Sequence, residues 1–330
     1  MDFLSYLKEH IVVFDGAFGT MLQKSAKNIG TVPELLNLER PELIAEIHRA
    51  YAKAGADVIT ANTFGANEKK TGSAALSEKL IKAAVDIARK EAGGRFVALD
   101  IGPVGQLLEP MGSLTFGEAY EIFARQMQAG KGADLILIET MTDLAELKAA
   151  LLAARETTTL PVLCSMTFEQ NGRTFTGCAA DCFALTASPL ADAVGVNCSL
   201  GPKQLLPVVK TILENTEKPV IVQANAGLPD ENFNYNVSAD EFADIYKEML
   251  GMGVRVVGGC CGTTPEYIKK LRALADGTAP APSPFRRRSA VCSARRLVAI
   301  DGVRVIGERI NPTGKKAMKA ALYEGNYGYV

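Results

Sequence analysis

The stretch Val256-Val257-Gly258-Gly259-Cys260-Cys261-Gly262-Thr263-Thr264-Pro265 decides how the chain is read. A short apolar run ends in two glycines, two adjacent cysteines and a third glycine. Thr-Thr-Pro-Glu follows and opens a helix, with Thr263 or Thr264 as N-cap and Pro265 in the first turn. The cysteines therefore fall where a strand gives way to a loop. Neighbouring side chains of a regular strand point to opposite faces, so two adjacent strand thiols could not meet one ion. The flanking glycines relax that limit, because they allow backbone angles other residues avoid. A second fragment, Val196-Asn197-Cys198-Ser199-Leu200-Gly201-Pro202, ends another apolar run in a cysteine. The pattern predicts that Cys198, Cys260 and Cys261 converge on one metal.

Outward from these fragments, short apolar runs alternate with longer amphipathic stretches. Strands are expected at 11–14, 57–60, 96–99, 135–138, 161–166, 193–197, 219–223 and 254–257. A helix after Pro41 carries Leu43, Ile44, Ile47 and Ala50 on one face. Further helices are expected over 75–91, 116–129, 143–155, 181–186 and 203–214, from the capping box Ser238-Ala239-Asp240-Glu241 to Leu250, and from Pro265 to Ala275. The runs are continuously apolar, which suits a parallel sheet buried on both faces. Eight strand–helix units predict an α/β fold, a (β/α)8 TIM barrel over residues 1–275. A doubly wound open sheet is the alternative. In a barrel the active site lies at the carboxyl ends of the strands. Asp15, Asn62, Asp100, Glu139, Cys198, Asn225, Cys260 and Cys261 all fall there.

Residues 276–296 read as a Pro/Arg-rich linker, with alternating prolines and then Arg286-Arg287-Arg288. Residues 297–330 hold two strand-like runs around Asp301-Gly302, followed by Gly307-Glu308-Arg309-Ile310-Asn311-Pro312-Thr313-Gly314. They are too few for a second core and read as the truncated start of another domain. The whole chain has 330 residues, is 48% hydrophobic and carries a formal net charge of -1. That balance gives no pull toward nucleic acid or an anionic membrane. No apolar run is long enough to span a bilayer, and the start lacks the basic-then-apolar order of an export signal. Seven widely spaced cysteines then read as reduced thiols in the cytoplasm. With only His10 and His48 present, a zinc-type ion would have to rely on sulfur.

Three thiolates on zinc leave one open position of a tetrahedral site, the mark of a catalytic centre. A substrate thiol entering it would be held as a nucleophilic thiolate, ready for attack on an electrophilic carbon. Asn225 could fill that position while substrate is absent. Against this stand a vicinal disulfide at 260–261 and simple packing of Cys198. Cys164 reads as core; Cys178, Cys182 and Cys292 have no clear role; His48 reads as structural. Asp15 and Glu139 either cap loops or grip a substrate ammonium, and the Gly16–Gly19 backbone could offer amides to a carboxylate.

Taken together, Asp15-Gly16-Ala17-Phe18-Gly19-Thr20, Ala61-Asn62-Thr63-Phe64, Asp100-Ile101-Gly102-Pro103, Glu139-Thr140, Gly195-Val196-Asn197-Cys198 and Gly258-Gly259-Cys260-Cys261-Gly262 resemble the homocysteine S-methyltransferase family. The resemblance implies a Zn2+ barrel that binds homocysteine as thiolate and methylates it to methionine. It makes Cys198, Cys260 and Cys261 the zinc ligands and Asn225 the fourth ligand without substrate. Asp15, Gly16, Ala17 and Glu139 become the grip on the amino acid. The segment 307–314 looks like the opening of a methyltetrahydrofolate-binding barrel, as in cobalamin-dependent members, with Glu308 and Asn311 in its pterin site. The implied donor is methylcobalamin on a separate cobalamin-binding module, in the same chain or another subunit. Betaine or S-methylmethionine as donor, or a non-catalytic zinc-stabilised scaffold, are the alternatives.

Overall fold

The computed structural model describes residues 2–25, 30–230, 235–307 and 311–329. Eight strands form one parallel sheet: β1 (Val12–Val13), β2 (Val58–Thr60), β3 (Phe96–Ile101), β4 (Leu135–Met141), β5 (Val162–Met166), β6 (Ala193–Asn197), β7 (Val220–Ala224) and β8 (Val256–Gly259). Each pairs with its sequence neighbour, and β1 pairs with β8 through Val12↔Val256 and Val13↔Val257. A parallel bridge from Phe14 to Val58 joins β1 to β2 and closes the ring. The fold is a (β/α)8 barrel, and the open-sheet alternative is excluded because neither β1 nor β2 is left as a free edge.

The strands differ from the sequence expectation at several ends, and β3 runs on through Asp100 to Ile101. β8 begins two residues late and takes in Gly258 and Gly259, so Cys260 and Cys261 stand just past its last residue. β4 runs on through Glu139 and Thr140 to Met141, with a register shift against β5 after Ile138. Several helices were not foreseen, and two of them shape the barrel ends, Phe3–Glu9 and Phe18–Ser25. The second starts inside a glycine-rich stretch whose intrinsic helix propensity is poor. Burial of Leu22 in the core offsets that handicap.

The barrel interior is built in layers. Val12 and Phe14, Val58, Ala98, Leu135 and Leu137, Leu163, Ala193, Ile221 and Val256 make one buried cluster inside the ring. Phe3 and Leu7 join this cluster, so the first helix plugs the amino-terminal mouth. Side chains two apart on a strand share a face. The same inward positions two residues further on are Thr60, Asp100, Glu139, Ser165 and Gln223, with Asn197 four beyond Ala193. Six of the eight strands thus pass from apolar to polar toward their carboxyl ends, and β1 and β8 reach glycines, Gly16 and Gly258, instead.

Below the plug, one ionic device recurs. Asp57, Asp134 and Asp192 stand just before β2, β4 and β6. They accept from the N–H groups of Val13, Val97 and Val162 on the preceding strands at 2.7–2.8 Å. Each pairs with an arginine of a flanking helix: Arg272, Arg89 and Arg155 respectively. At the fourth place Arg255 precedes β8 and donates to the carbonyls of Leu7, Lys8 and His10 at the end of the plug.

The chain divides into two compact units, Met1–Arg287 with Cys292–Leu297, and Arg288–Val291 with Val298–Val330. The second unit contains the helix Lys316–Tyr323 and exposes Val303 and Val305 almost fully. In it Asn311 Oδ1 accepts from Thr313 N–H at 2.9 Å, while Glu308 lies outside the described residues. No helix of the described residues is long and apolar enough to cross a membrane.

Asp57 offers the clearest stability test, since it serves Val13, Tyr6 and Arg272 at once. Asp57→Ala is expected to cost about 1–3 kcal/mol, the penalty for stranding partly buried donors. Urea denaturation checks this, and metal binding by the folded variant should match the parent.

Candidate active site

Three sulfurs meet at the carboxyl end of the barrel. Cys198 follows β6, and Cys260 and Cys261 follow β8, with the end of β7 between them. Their Sγ atoms lie within 4.8 Å of one another, and Cys198 Sγ is 3.8 Å from Cys261 Sγ. Backbone conformation makes this possible. Cys198 and Ser199 both adopt positive φ, 60° and 61°, turning the chain sharply after β6. On the other side Gly262 has φ +82°, and its missing side chain leaves room for the Tyr235 ring packed against it. Cys260 N–H donates to Ala224 O at 2.8 Å, and Ala226 N–H to Cys261 O at 2.9 Å, so the double-cysteine turn is pinned to the end of β7. Thr263 Oγ donates to Cys260 O at 2.7 Å and accepts from Ala17 N–H at 3.1 Å, which ties this turn to the loop after β1.

The sulfurs share their protons unequally. Hydrogen bonds from Cys198 and Cys260 lower the Cys261 thiol below the usual range against the effect of burial, and the Tyr235 hydroxyl adds to the lowering. Hydrogen bonds with Cys198 and Cys261, then burial, hold Cys260 well above the usual thiol range. A compact set of soft donors that already favours one thiolate suits a thiophilic cation such as zinc. Asn225, at the end of β7, is buried, and its Oδ1 has no hydrogen-bond partner among the described residues. A buried amide oxygen without a donor fits a fourth ligand.

A cavity of about 430 Å3 opens beside the sulfurs. Among the described residues its walls carry the carboxylates of Asp15, Glu34, Asp100 and Glu139 and no lysine or arginine. Thr60 holds Asp15 in place, through its N–H at 2.8 Å and its hydroxyl at 2.6 Å. Burial outweighs those bonds and raises Asp15 to about 7. Burial, then the negative charges of Asp15 and Cys261, raise Glu139 to about 8. Asp100 is raised well above the carboxylate range by burial, then by Glu139, Asp15 and Glu34, and its Oδ1 has no partner among the described residues. Desolvated acids crowded together demand a positive ligand group.

Of the residues singled out in the sequence, Asp15, Gly16, Ala17, Glu139, Cys198, Cys260 and Cys261 all line this cavity, together with Asn62 and Asp100. Asn225 is beside the sulfur turn rather than on the cavity wall. Ala17 N–H is already engaged by Thr263. The helix Phe18–Ser25, whose first residues line the cavity, presents its amino-terminal end there instead. Glu34 escaped the sequence reading because it sits in a 3-10 turn, Pro33–Leu35, far from any strand end. Its Oε1 accepts from Gly65 N–H at 2.5 Å, which fastens that turn to the loop after β2. The remaining cysteines are apart from the site. Cys164 is buried in β5, and Cys178 and Cys182 are buried and raised to about 12, mainly by burial. Cys292 is half-buried, with its sulfur 3.7 Å from the Cys182 carbonyl. His48 is fully buried and pushed down to about 3 by burial, with its ring 5.3 Å from that of Phe18.

The chain is 34% identical to a methionine synthase of Mycobacterium tuberculosis (strain ATCC 25618 / H37Rv) and 32% identical to one of Mycobacterium leprae (strain TN). Each alignment covers 99% of this chain, which spans 30% of the length of either relative. In structure it is similar to the Escherichia coli homocysteine methyltransferase MmuM in its metallated form, with TM-score 0.70 and 24% identity over 81% of this chain and 96% of that one. At that identity the likeness is one of fold. The profile of the homocysteine S-methyltransferase family matches residues 12–275. That span runs from β1 to the last barrel helix and takes in all three clustered cysteines, so the chain belongs to the homocysteine S-methyltransferase family.

Proposed function

We propose that this chain is the homocysteine-binding part of a cobalamin-dependent methionine synthase. The single observation that carries the reading is the convergence of Cys198, Cys260 and Cys261 beside a cavity walled by carboxylates. Residues 1–275 form the zinc barrel, 276–296 the linker, and 297–330 the incomplete start of a pterin-binding domain. The match to relatives more than three times as long supports the missing modules. Methylcobalamin, carried by a module outside this chain, is the proposed donor, and Glu308 and Asn311 are assigned to the methyltetrahydrofolate site.

The donor chemistry supports zinc, with Cys198, Cys260 and Cys261 as its holders and Asn225 Oδ1 completing the set when no thiol is present. When bound, the ion supplies a Lewis acid that keeps a substrate thiol deprotonated near neutral pH. The chain's own residues do the rest. Asp15 and Glu139 receive the ammonium of homocysteine, which relieves their mutual repulsion. The amino-terminal end of the helix Phe18–Ser25, which Gly16 and Ala17 lead into, receives its carboxylate. The thiol then points toward the sulfur cluster. Apolar groups of Phe18, Leu22 and Phe64 line the same cavity and limit water around the reacting sulfur. A sulfur–methyl bond forms there as the donor's bond to the methyl group breaks.

Three outcomes test this. Titrating the zinc-loaded chain with homocysteine, followed by calorimetry in buffers of different ionisation enthalpy, should release roughly one proton per thiol bound. A closed structural site would take up no thiol and release none. Cys260→Ala should lower homocysteine affinity by more than about 100-fold and reduce zinc content, while the circular dichroism spectrum of the barrel persists. Parental affinity in that variant would defeat the assignment.

The pH dependence carries a sign. Asp15 is raised to about 7 in the free protein. The ammonium binds its charged form, so its contribution is complete above that value and is lost as pH falls through it. Asp15→Asn should weaken homocysteine by roughly 10-fold at pH 8, the worth of one charge-assisted hydrogen bond. Its affinity should also fall less steeply than the parent's between pH 8 and 6. A variant profile parallel to the parent's would remove Asp15 from the grip.

A further inference from the structure

Asn197 is the last residue of β6 and immediately precedes Cys198. It is wholly buried, and its amide spends every bond it can make. Oδ1 accepts from Thr140 N–H at 2.8 Å and from the Ser165 hydroxyl at 2.7 Å. Nδ2 donates to Thr140 Oγ1 at 2.7 Å and to Glu139 Oε2 at 3.3 Å. The Thr140 N–H can only donate, which fixes which end of the amide is oxygen. The side chain therefore reaches from β6 past Ser165 on β5 to Glu139 and Thr140 on β4. Its own carbonyl accepts from the Thr167 hydroxyl at 3.1 Å.

The backbone around this amide is strained. Among the described residues the non-glycine positions with positive φ are Thr140, Cys198 and Ser199. They directly follow Glu139 and Asn197, the two ends of the bridge. Such conformations persist where the surroundings over-determine them, and they gather at functional sites. Here the Asn197 amide holds the β4 side, while Cys198 N–H to Gln223 O at 3.0 Å and Asn225 N–H to Leu200 O at 3.1 Å help to hold the turn after β6.

We propose that Asn197 is a positioning residue that fixes the separation between the Glu139 carboxylate and the sulfur cluster, and thereby sets the length of thiol amino acid the cavity accepts. The proposal rests on the homocysteine reading above. A ligand held by its ammonium at one end and its sulfur at the other is measured by the distance between the two anchors. Homocysteine and cysteine differ by one methylene, and an apolar pocket discriminates that difference by roughly 10- to 200-fold at most. A rigid spacing realises such a ratio, whereas anchors free to move apart or together would accept both.

The test compares zinc-loaded parent and Asn197→Asp, each titrated calorimetrically with L-homocysteine and L-cysteine. Aspartate keeps the acceptors for Thr140 N–H and Ser165, but loses the donations and sets a like charge beside Glu139. The parent should prefer homocysteine by at least about 10-fold, and the variant's preference should shrink by about 5-fold or more at unchanged zinc stoichiometry. Thr140→Val removes only the acceptor for Nδ2. It should move the ratio in the same direction by a smaller factor, and it decides the matter if Asn197→Asp does not fold. Parallel weakening of both thiols with the ratio within about twofold of the parent's would show a merely structural residue and overturn the proposal. So would a parent that binds both thiols equally. A parent that binds neither thiol would bring down the homocysteine reading itself, whereas selective binding with an unaltered ratio in the variants defeats only the role of Asn197.

Discussion

Negative charge held out of water at one end of an apolar cylinder is the constraint on which the structure depends. Three sulfurs and four carboxylates face or adjoin one cavity, and no basic side chain among the described residues lines it. Desolvation of each acid opposes its ionisation, and each charged neighbour adds to the cost. The protein answers with hydrogen bonds from its own groups: Thr60 for Asp15, Gly65 N–H for Glu34, Asn197 for Glu139. Those bonds reduce the penalty without cancelling it, as the raised Asp15 and Glu139 show. The proposed ammonium and thiophilic ion would each offset part of what remains.

The two ends of the barrel divide the labour. At the amino-terminal end the helix Phe3–Glu9 fills the mouth, and ionic devices at Asp57, Asp134 and Asp192 pair each acid with an arginine and a strand N–H. Each of those three acids has a cationic partner. At the carboxyl end the acids are left short of partners, and the backbone is bent into left-handed turns at Thr140, Cys198 and Ser199. Stability gathered below, from the plug and the apolar layers, offsets strain and unpaired charge above.

Much of the fold was legible because parallel strands buried on both sides read as plain apolar runs, and eight of them in this length leave few architectures. The cost of that legibility is that continuous runs hide which residues face inward. The alternation that carries Val58 to Thr60, Ala98 to Asp100 and Leu137 to Glu139 emerges only once inside and outside are known. The helix Phe18–Ser25 was missed for a different reason. Its glycine and threonine argue for a loop, and only the packing of Leu22 argues for a helix. Glu34 lies in a short turn that no periodicity marks, and nothing local announces that it faces Gly65 and the cavity.

The sequence alone determined the barrel, the strand ends that bear polar groups, and the identity of the three cysteines, because glycine pairs and doubled cysteines after apolar runs have few other uses. Tertiary structure alone decided how near those sulfurs come, which acids stand together, and that one buried amide joins β4 to β6. The reason is physical. Residue type and periodicity are local properties of the chain, whereas separation, desolvation and shared hydrogen bonds belong to groups that meet only when distant strands close into a ring.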